Sequence, residues 1–178
     1  MGYAGGTTSR PTYHNLGDHT ETLQVDFDPT RVSYAQLLEV FWKEHSPTSR
    51  SWSRQYKAVV FYHSEEQQRL AVATKERLAA ELRAPITTEV LPAGAFTLAE
   101  AYHQKYYLRQ DRALLRELTT VYPNPPEFVA STAAARVNGY LAGHGRQAQI
   151  LAEVGRLGIS DAGQQRLLDA AAKRARVQ

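Results

Sequence analysis

Along the first 110 residues, two-residue alternation and helical spacing take turns. From His19 to Phe27 the chain alternates, with Leu23, Val25 and Phe27 on one face and Thr22, Gln24 and Asp26 on the other. That pattern predicts a half-buried strand, closed by Asp28-Pro29. Ser33, followed three residues later by Gln36, predicts a capping box. The helix it opens carries Tyr34, Leu37, Leu38, Phe41 and Trp42 on its buried face and stops at Pro47. Residues 48–55 lose all periodicity and are expected to be an exposed loop. Lys57 to Tyr62 is a continuous β-rich run, which suggests a central strand. Ser64 with Gln67 predicts a second capping box and a helix ending before Pro85. Ile86 to Leu91 reads as a strand closed by Pro92-Ala93-Gly94, and Thr97 with Glu100 as a third box opening a helix through Tyr106 and Leu108.

After Asp111 only helical spacing remains. The stripes are Leu114, Leu115 and Leu118; Val137, Tyr140 and Leu141; Ile150, Leu151, Val154 and Leu157; and Leu167, Leu168 and Ala171. Pro123, Pro125 and Pro126 break the first from the second, and Gly158-Ile159-Ser160 is a turn. The expected fold is α+β: a two-layer sandwich of a mixed sheet and packed helices over residues 1–110, followed by a helical C-terminal extension over residues 111–178.

Composition narrows the chemistry. The chain has 178 residues, 43% hydrophobic and 22% charged, which is the profile of a folded protein. No window approaches the ~18 apolar residues of a membrane span, and Met1 to Gly6 has no signal-peptide pattern. A soluble cytoplasmic protein with no membrane partner is expected. Cysteine is absent, so this chain offers no disulfide, thiolate nucleophile or thiolate metal ligand. The histidines show no metal-ligand spacing, and no glycine loop suits a phosphate.

The net charge of +3 lies in the C-terminal part. Residues 1–110 carry 12 Lys and Arg against 12 Asp and Glu, whereas residues 111–178 carry 9 against 6. Lys173, Arg174 and Arg176 form a basic helix end favoured by the helix dipole. No interleaved aromatics accompany them, so no nucleic-acid partner is expected.

Several strings recur in an order that resembles the A-type peptide methionine sulfoxide reductases. They are Gly2-Tyr3-Ala4-Gly5-Gly6 with Pro11-Thr12-Tyr13; Asp18-His19-Thr20-Glu21; Phe41-Trp42-Lys43-Glu44-His45-Ser46-Pro47; Gln55-Tyr56; and Glu100-Ala101-Tyr102-His103-Gln104-Lys105-Tyr106. The resemblance covers residues 1–110. It implies reduction of methionine-S-sulfoxide, in proteins or free, as protein repair under oxidative stress. Tyr13, Glu21 and Tyr56 are then the donors to the sulfoxide oxygen. No cofactor is implied, and thioredoxin or another thiol is the reductant. The chemistry is consistent with those residue types. A sulfoxide oxygen is partly negative and must be protonated, and phenols or a carboxylic acid neutralised by an apolar pocket can supply the proton. His103 reads as a structural hydrogen-bonding residue.

The chain departs from the family pattern at three places. Asp18 stands where glycine is usual, and Ser51 where the family has an Asp. The family's Gly-Cys-Phe-Trp segment, with the nucleophile and methyl pocket, is not found. The expectation is that it lies upstream of residue 1 and that Met1 is an internal start. A selenocysteine codon read as a stop would be one cause. The missing strand would leave an apolar edge near Lys57–Tyr62. Two alternatives stand beside the truncated enzyme. One is a catalytically dead module that binds a sulfoxide or a partner; the other is an interaction protein built around the basic helical tail.

Overall fold

The computed structural model describes residues 1–175; Arg176 of the basic run lies outside the described residues. Residues 1–100 form one compact unit and the chain from residue 101 forms a second.

The first unit contains two small sheets and two helices. Strands β1 (Gly2–Ala4), β2 (Thr20–Thr22) and β5 (Thr97–Leu98) form an antiparallel sheet in the order β2-β1-β5. Strands β3 (Val59–Tyr62) and β4 (Glu89–Pro92) pair in parallel, joined through α2 (Glu65–Leu82). Helix α1 (Tyr34–Lys43) precedes them. The fold is α+β as expected, with its antiparallel and parallel ladders in separate sheets.

Local chemistry explains the helices. The Ser33 hydroxyl accepts the Gln36 N–H, and the Gln36 side chain accepts the Ser33 N–H, so the predicted capping box is formed. At α2 the box is half formed. Ser64 Oγ accepts the Gln67 N–H, but the Gln67 side chain reaches past the cap to the His63 N–H. Helix α2 ends at Arg83 in the left-handed conformation. Leu38, Trp42, Val60, Ala71 and Ile86 make the core of this unit. Trp42 Nε1–H donates to Thr74 Oγ1 across α1 and α2, which satisfies a buried indole. His45 closes α1: its Nδ1–H donates to the Phe41 carbonyl, and Nε2 meets the Thr88 hydroxyl at 2.9 Å. The Phe-Trp-x-x-His-x-Pro string is thus architectural.

Two predicted strands and one predicted helix need correction. The strand expected over 19–27 is only Thr20–Thr22, whose last ladder pair is Thr22 with Gly2 of β1. Beyond that point no ladder holds the alternation, and Leu23 is 66% exposed and Val25 51%. The run at Lys57–Tyr62 is paired on one side only among the described residues, not centrally. A continuous apolar run reports two covered faces and says nothing of the number of neighbours. The helix expected from Thr97 is instead β5, a 3₁₀ turn (Ala101–His103) and α3 (Tyr106–Gln110). The backbone at Thr97 and Leu98 pairs with Tyr3 and Gly2, so it cannot enter a helix.

The second unit is helical: α3, α4 (Arg112–Val121), α5 (Pro125–Ala130), α6 (Thr132–Leu141), α7 (Gln147–Glu153) and α8 (Asp161–Ala175). Pro125 and Pro126 occupy the first turn of α5, where a missing N–H costs nothing. Its core takes residues from every predicted stripe, although Leu151 points outward at 56% exposure. Lys173 and Arg174 lie in the last turn of α8, and Arg174 stacks over the Tyr107 ring at 5.3 Å. No helix among the described residues is long and apolar enough to cross a membrane.

Candidate functional site

Tyr13 sits on the loop that leaves β1, Glu21 on β2, and Tyr56 on the segment between α1 and β3. Gly5 has φ +76°, and a side chain there would meet the Phe61 ring at 2.6 Å. That glycine turns the chain from β1 into a loop over residues 6–18, and the loop is held by one carboxylate. Asp18 accepts both the N–H and the hydroxyl of Thr7 and of Thr8. These bonds, those from Thr8 first, hold its pKa far below the usual carboxylate range. His19, buried beside it, donates Nε2–H to the Thr8 carbonyl and accepts the Gly6 N–H at Nδ1. These two bonds fix the orientation of the ring.

A pH prediction arises here. Because the folded pKa of Asp18 is depressed, its stabilising contribution is complete above the unfolded value, about 4. It is lost as pH falls from there through the folded value. Asp18→Asn is expected to lower the melting temperature at neutral pH, with the difference from the native chain closing below about pH 4. A difference that stays constant down to strong acid would remove the role given to Asp18.

The loop carries Tyr13, whose ring packs edge-on to His14 and is 38% exposed. The Tyr13 N–H donates to Glu100 Oε1, while Glu100 Oε2 accepts the hydroxyl of buried Tyr3 at 2.6 Å. Tyr3 stands directly opposite Glu21 in the β1–β2 register, so their side chains share one face of the sheet. Glu21 is fixed twice to one residue. Its N–H donates to the Gln55 carbonyl, and its Oε1 accepts Gln55 Nε2–H at 2.6 Å. Thr20 Oγ1 donates to the Arg54 carbonyl beside it. The segment ending in Tyr56 is therefore held along the edge of β2.

Of the three predicted site residues, Glu21 is bonded to Gln55, the residue before Tyr56, while the Tyr56 ring lies 5.4 Å from that of Trp52. Tyr13 is tied through Glu100 to Tyr3, the cross-strand neighbour of Glu21. Glu21 Oε2 and the Tyr56 hydroxyl have no hydrogen-bond partner among the described residues, and Tyr56 is 46% exposed. The Tyr56 phenol is a donor open to solvent, which suits an acceptor atom on a ligand. Ser51 does not take part: its Oγ donates to the Ser53 carbonyl within its own loop. His103 lies in the 3₁₀ turn with its ring 4.2 Å from Tyr102.

Two positioning residues escape sequence reasoning. Glu100 reads as a cap partner of Thr97, yet its carboxylate serves Tyr3 and Tyr13, 97 and 87 residues away. Gln55 carries a signal only as the neighbour of Tyr56. Pattern cannot reveal either one, since both act through long-range hydrogen bonds.

The family model described as peptide methionine sulfoxide reductase matches residues 1–127. A peptide methionine sulfoxide reductase of Drosophila melanogaster is 42% identical over 165 residues, covering 90% of this chain and 65% of the fly protein. Peptide methionine sulfoxide reductase A5 of Oryza sativa subsp. japonica is 40% identical over 148 residues, 80% of this chain and 58% of that protein. MsrA of Acidobacterium capsulatum is 45% identical over 116 residues, 59% of this chain and 74% of that protein. The chain thus spans less than two thirds of the fly and rice relatives.

Proposed function

This chain belongs to the peptide methionine sulfoxide reductase family, and from that premise we propose that it binds methionine-S-sulfoxide and serves its reduction to methionine. Tyr13, Glu21 and Tyr56 are the donors to the sulfoxide oxygen in this reading. Residues 1–110 carry the site, and residues 111–178 form a helical extension. The observation that supports it most is the double tie of Glu21 to Gln55, the chain neighbour of Tyr56.

The reaction consumes two electrons and two protons. Two thiols become a disulfide, the S–O bond breaks, and the oxygen leaves as water. Glu21 and the two phenols hold that oxygen and bring it a proton as the bond weakens, which is general acid catalysis. The sulfur nucleophile must be a thiolate, and the 178 residues contain no cysteine. A thiol therefore comes from outside this sequence, with thioredoxin as the physiological electron source. A reducing compartment, the cytoplasm, fits that supply.

The test is calorimetric titration with N-acetyl-methionine sulfoxide amide, the S and R epimers separately. The S epimer is expected to bind, and Glu21→Gln with Tyr56→Phe is expected to weaken it about 10-fold or more, as for two altered hydrogen bonds to one oxygen. Equal binding of both epimers, or of unoxidised N-acetyl-methionine amide, would overturn the assignment.

A further inference from the structure

We propose that the groove beside Tyr56 docks an extended acidic peptide segment flanking the oxidised methionine, with Arg50 and Arg54 reading its carboxylates and Trp52 covering its backbone. This rests on the proposed function for the position of the sulfoxide, and adds the class of sequence around it.

The groove has a volume of about 1040 Å³, and Arg50, Trp52, Arg54, Tyr56, Lys57 and Glu89 are on its walls. That volume lies at the upper end of small-molecule pockets, about 300–1,000 Å³, and suits a run of peptide better than one side chain. Tyr56 belongs both to this wall and to the oxygen-binding set. A methionine held at Tyr56 therefore has its chain neighbours in the groove.

The wall is built on a fixed base. Thr87 donates its N–H and its hydroxyl to the Pro47 carbonyl, and the hydroxyl also reaches the Ser49 carbonyl at 2.8 Å. At the other end, Thr20 and Glu21 hold the carbonyls of Arg54 and Gln55. Between these anchors, Ser51 Oγ folds the tip onto Ser53. The loop presents Trp52 at 86% exposure, its ring 5.4 Å from that of Tyr56. A tryptophan placed in water on an anchored loop contributes nothing to the core, and Trp and Arg are the residues that dominate binding hot spots.

Charge selects the occupant. Lys57 is neutralised by Glu89 at 2.5 Å. Arg50 and Arg54 have no ion-pair partner among the described residues, so the groove keeps an excess of positive charge. Guanidinium groups pair with carboxylates through two parallel hydrogen bonds, which lysine cannot reproduce.

The experiment uses the whole 178-residue chain and follows Trp52 fluorescence, with Trp52→Phe identifying its share against buried Trp42. The probes are short peptides with one central methionine flanked by Glu, by Gln or by Lys, each made with methionine-S-sulfoxide and with methionine. The Glu-flanked sulfoxide peptide is expected to bind about fivefold to tenfold tighter than the Lys-flanked one, an advantage that shrinks as salt rises. Arg50→Gln and Arg54→Gln change exposed side chains, and each is expected to remove part of that preference. Equal binding of the Glu- and Lys-flanked peptides, with the sulfoxide still preferred over methionine, overturns the docking and leaves the proposed function intact. A Glu preference with no distinction between sulfoxide and methionine keeps the docking and sinks the proposed function. No effect of the arginine substitutions, or a single-stranded oligonucleotide that displaces the acidic peptide and binds tighter, also overturns the docking.

Discussion

Purified as the 178-residue chain and supplied with dithiothreitol, the protein is expected to leave methionine sulfoxide unreduced, at a rate indistinguishable from the reagent blank. Two magnitudes decide this. Positioned acids such as Glu21 and Tyr56 contribute about 10²–10⁴ to a rate. Holding the nucleophile against the sulfur contributes effective molarities of about 10⁵–10⁸ M, and with no cysteine in the chain that larger factor is missing. Dithiothreitol in solution replaces the electrons but not the position. The same preparation is expected to bind the S epimer in the calorimeter, so the defect lies in chemistry and not in folding. Turnover above the blank would show that a thiolate supplied in solution reaches the bound sulfoxide well enough, and would overturn the weight given to a positioned nucleophile.

Leu118→Ala is expected to destabilise the helical unit by about 2–5 kcal/mol, a large part of the 5–15 kcal/mol that keeps a typical domain folded. Leu118 is fully buried, as are Leu108, Leu114, Val137 and Leu167, which come from α3, α4, α6 and α8. A cavity opened where several helices meet cannot be closed by moving one of them, so the cost should sit at the upper part of that range. Chemical denaturation followed by far-ultraviolet circular dichroism measures it. A loss under about 1 kcal/mol would mean that this cluster is not the core its burial indicates. Leu151→Ala, at an exposed position in one of the same stripes, is expected to change stability by no more than about 0.5 kcal/mol.

The contrast between Leu118 and Leu151 marks what the amino-acid pattern determines alone. Helical spacing places Leu114, Leu118, Val137, Tyr140, Leu141, Ile150, Val154, Leu157 and Leu167 in a core, and all are buried. The Ser33–Gln36 box starts α1 where the pattern says, because both halves of a cap lie within four residues. The site strings, too, are legible as strings: Tyr13, Glu21 and Tyr56 are nameable before any coordinate. The tertiary structure alone decides how far a strand runs and what a polar side chain is for. Leu23 and Val25 alternate correctly yet pair with no strand among the described residues, and both are exposed. Thr97 and Glu100 have the spacing of a cap, but pairing with β1 claims the Thr97 backbone, and Tyr3 and Tyr13 claim the Glu100 carboxylate. Caps and helical stripes are set by residues within a turn or two of each other. Strand pairing and the partners of the Glu100 carboxylate are set by groups 20 to 97 residues distant, whose approach no local pattern encodes.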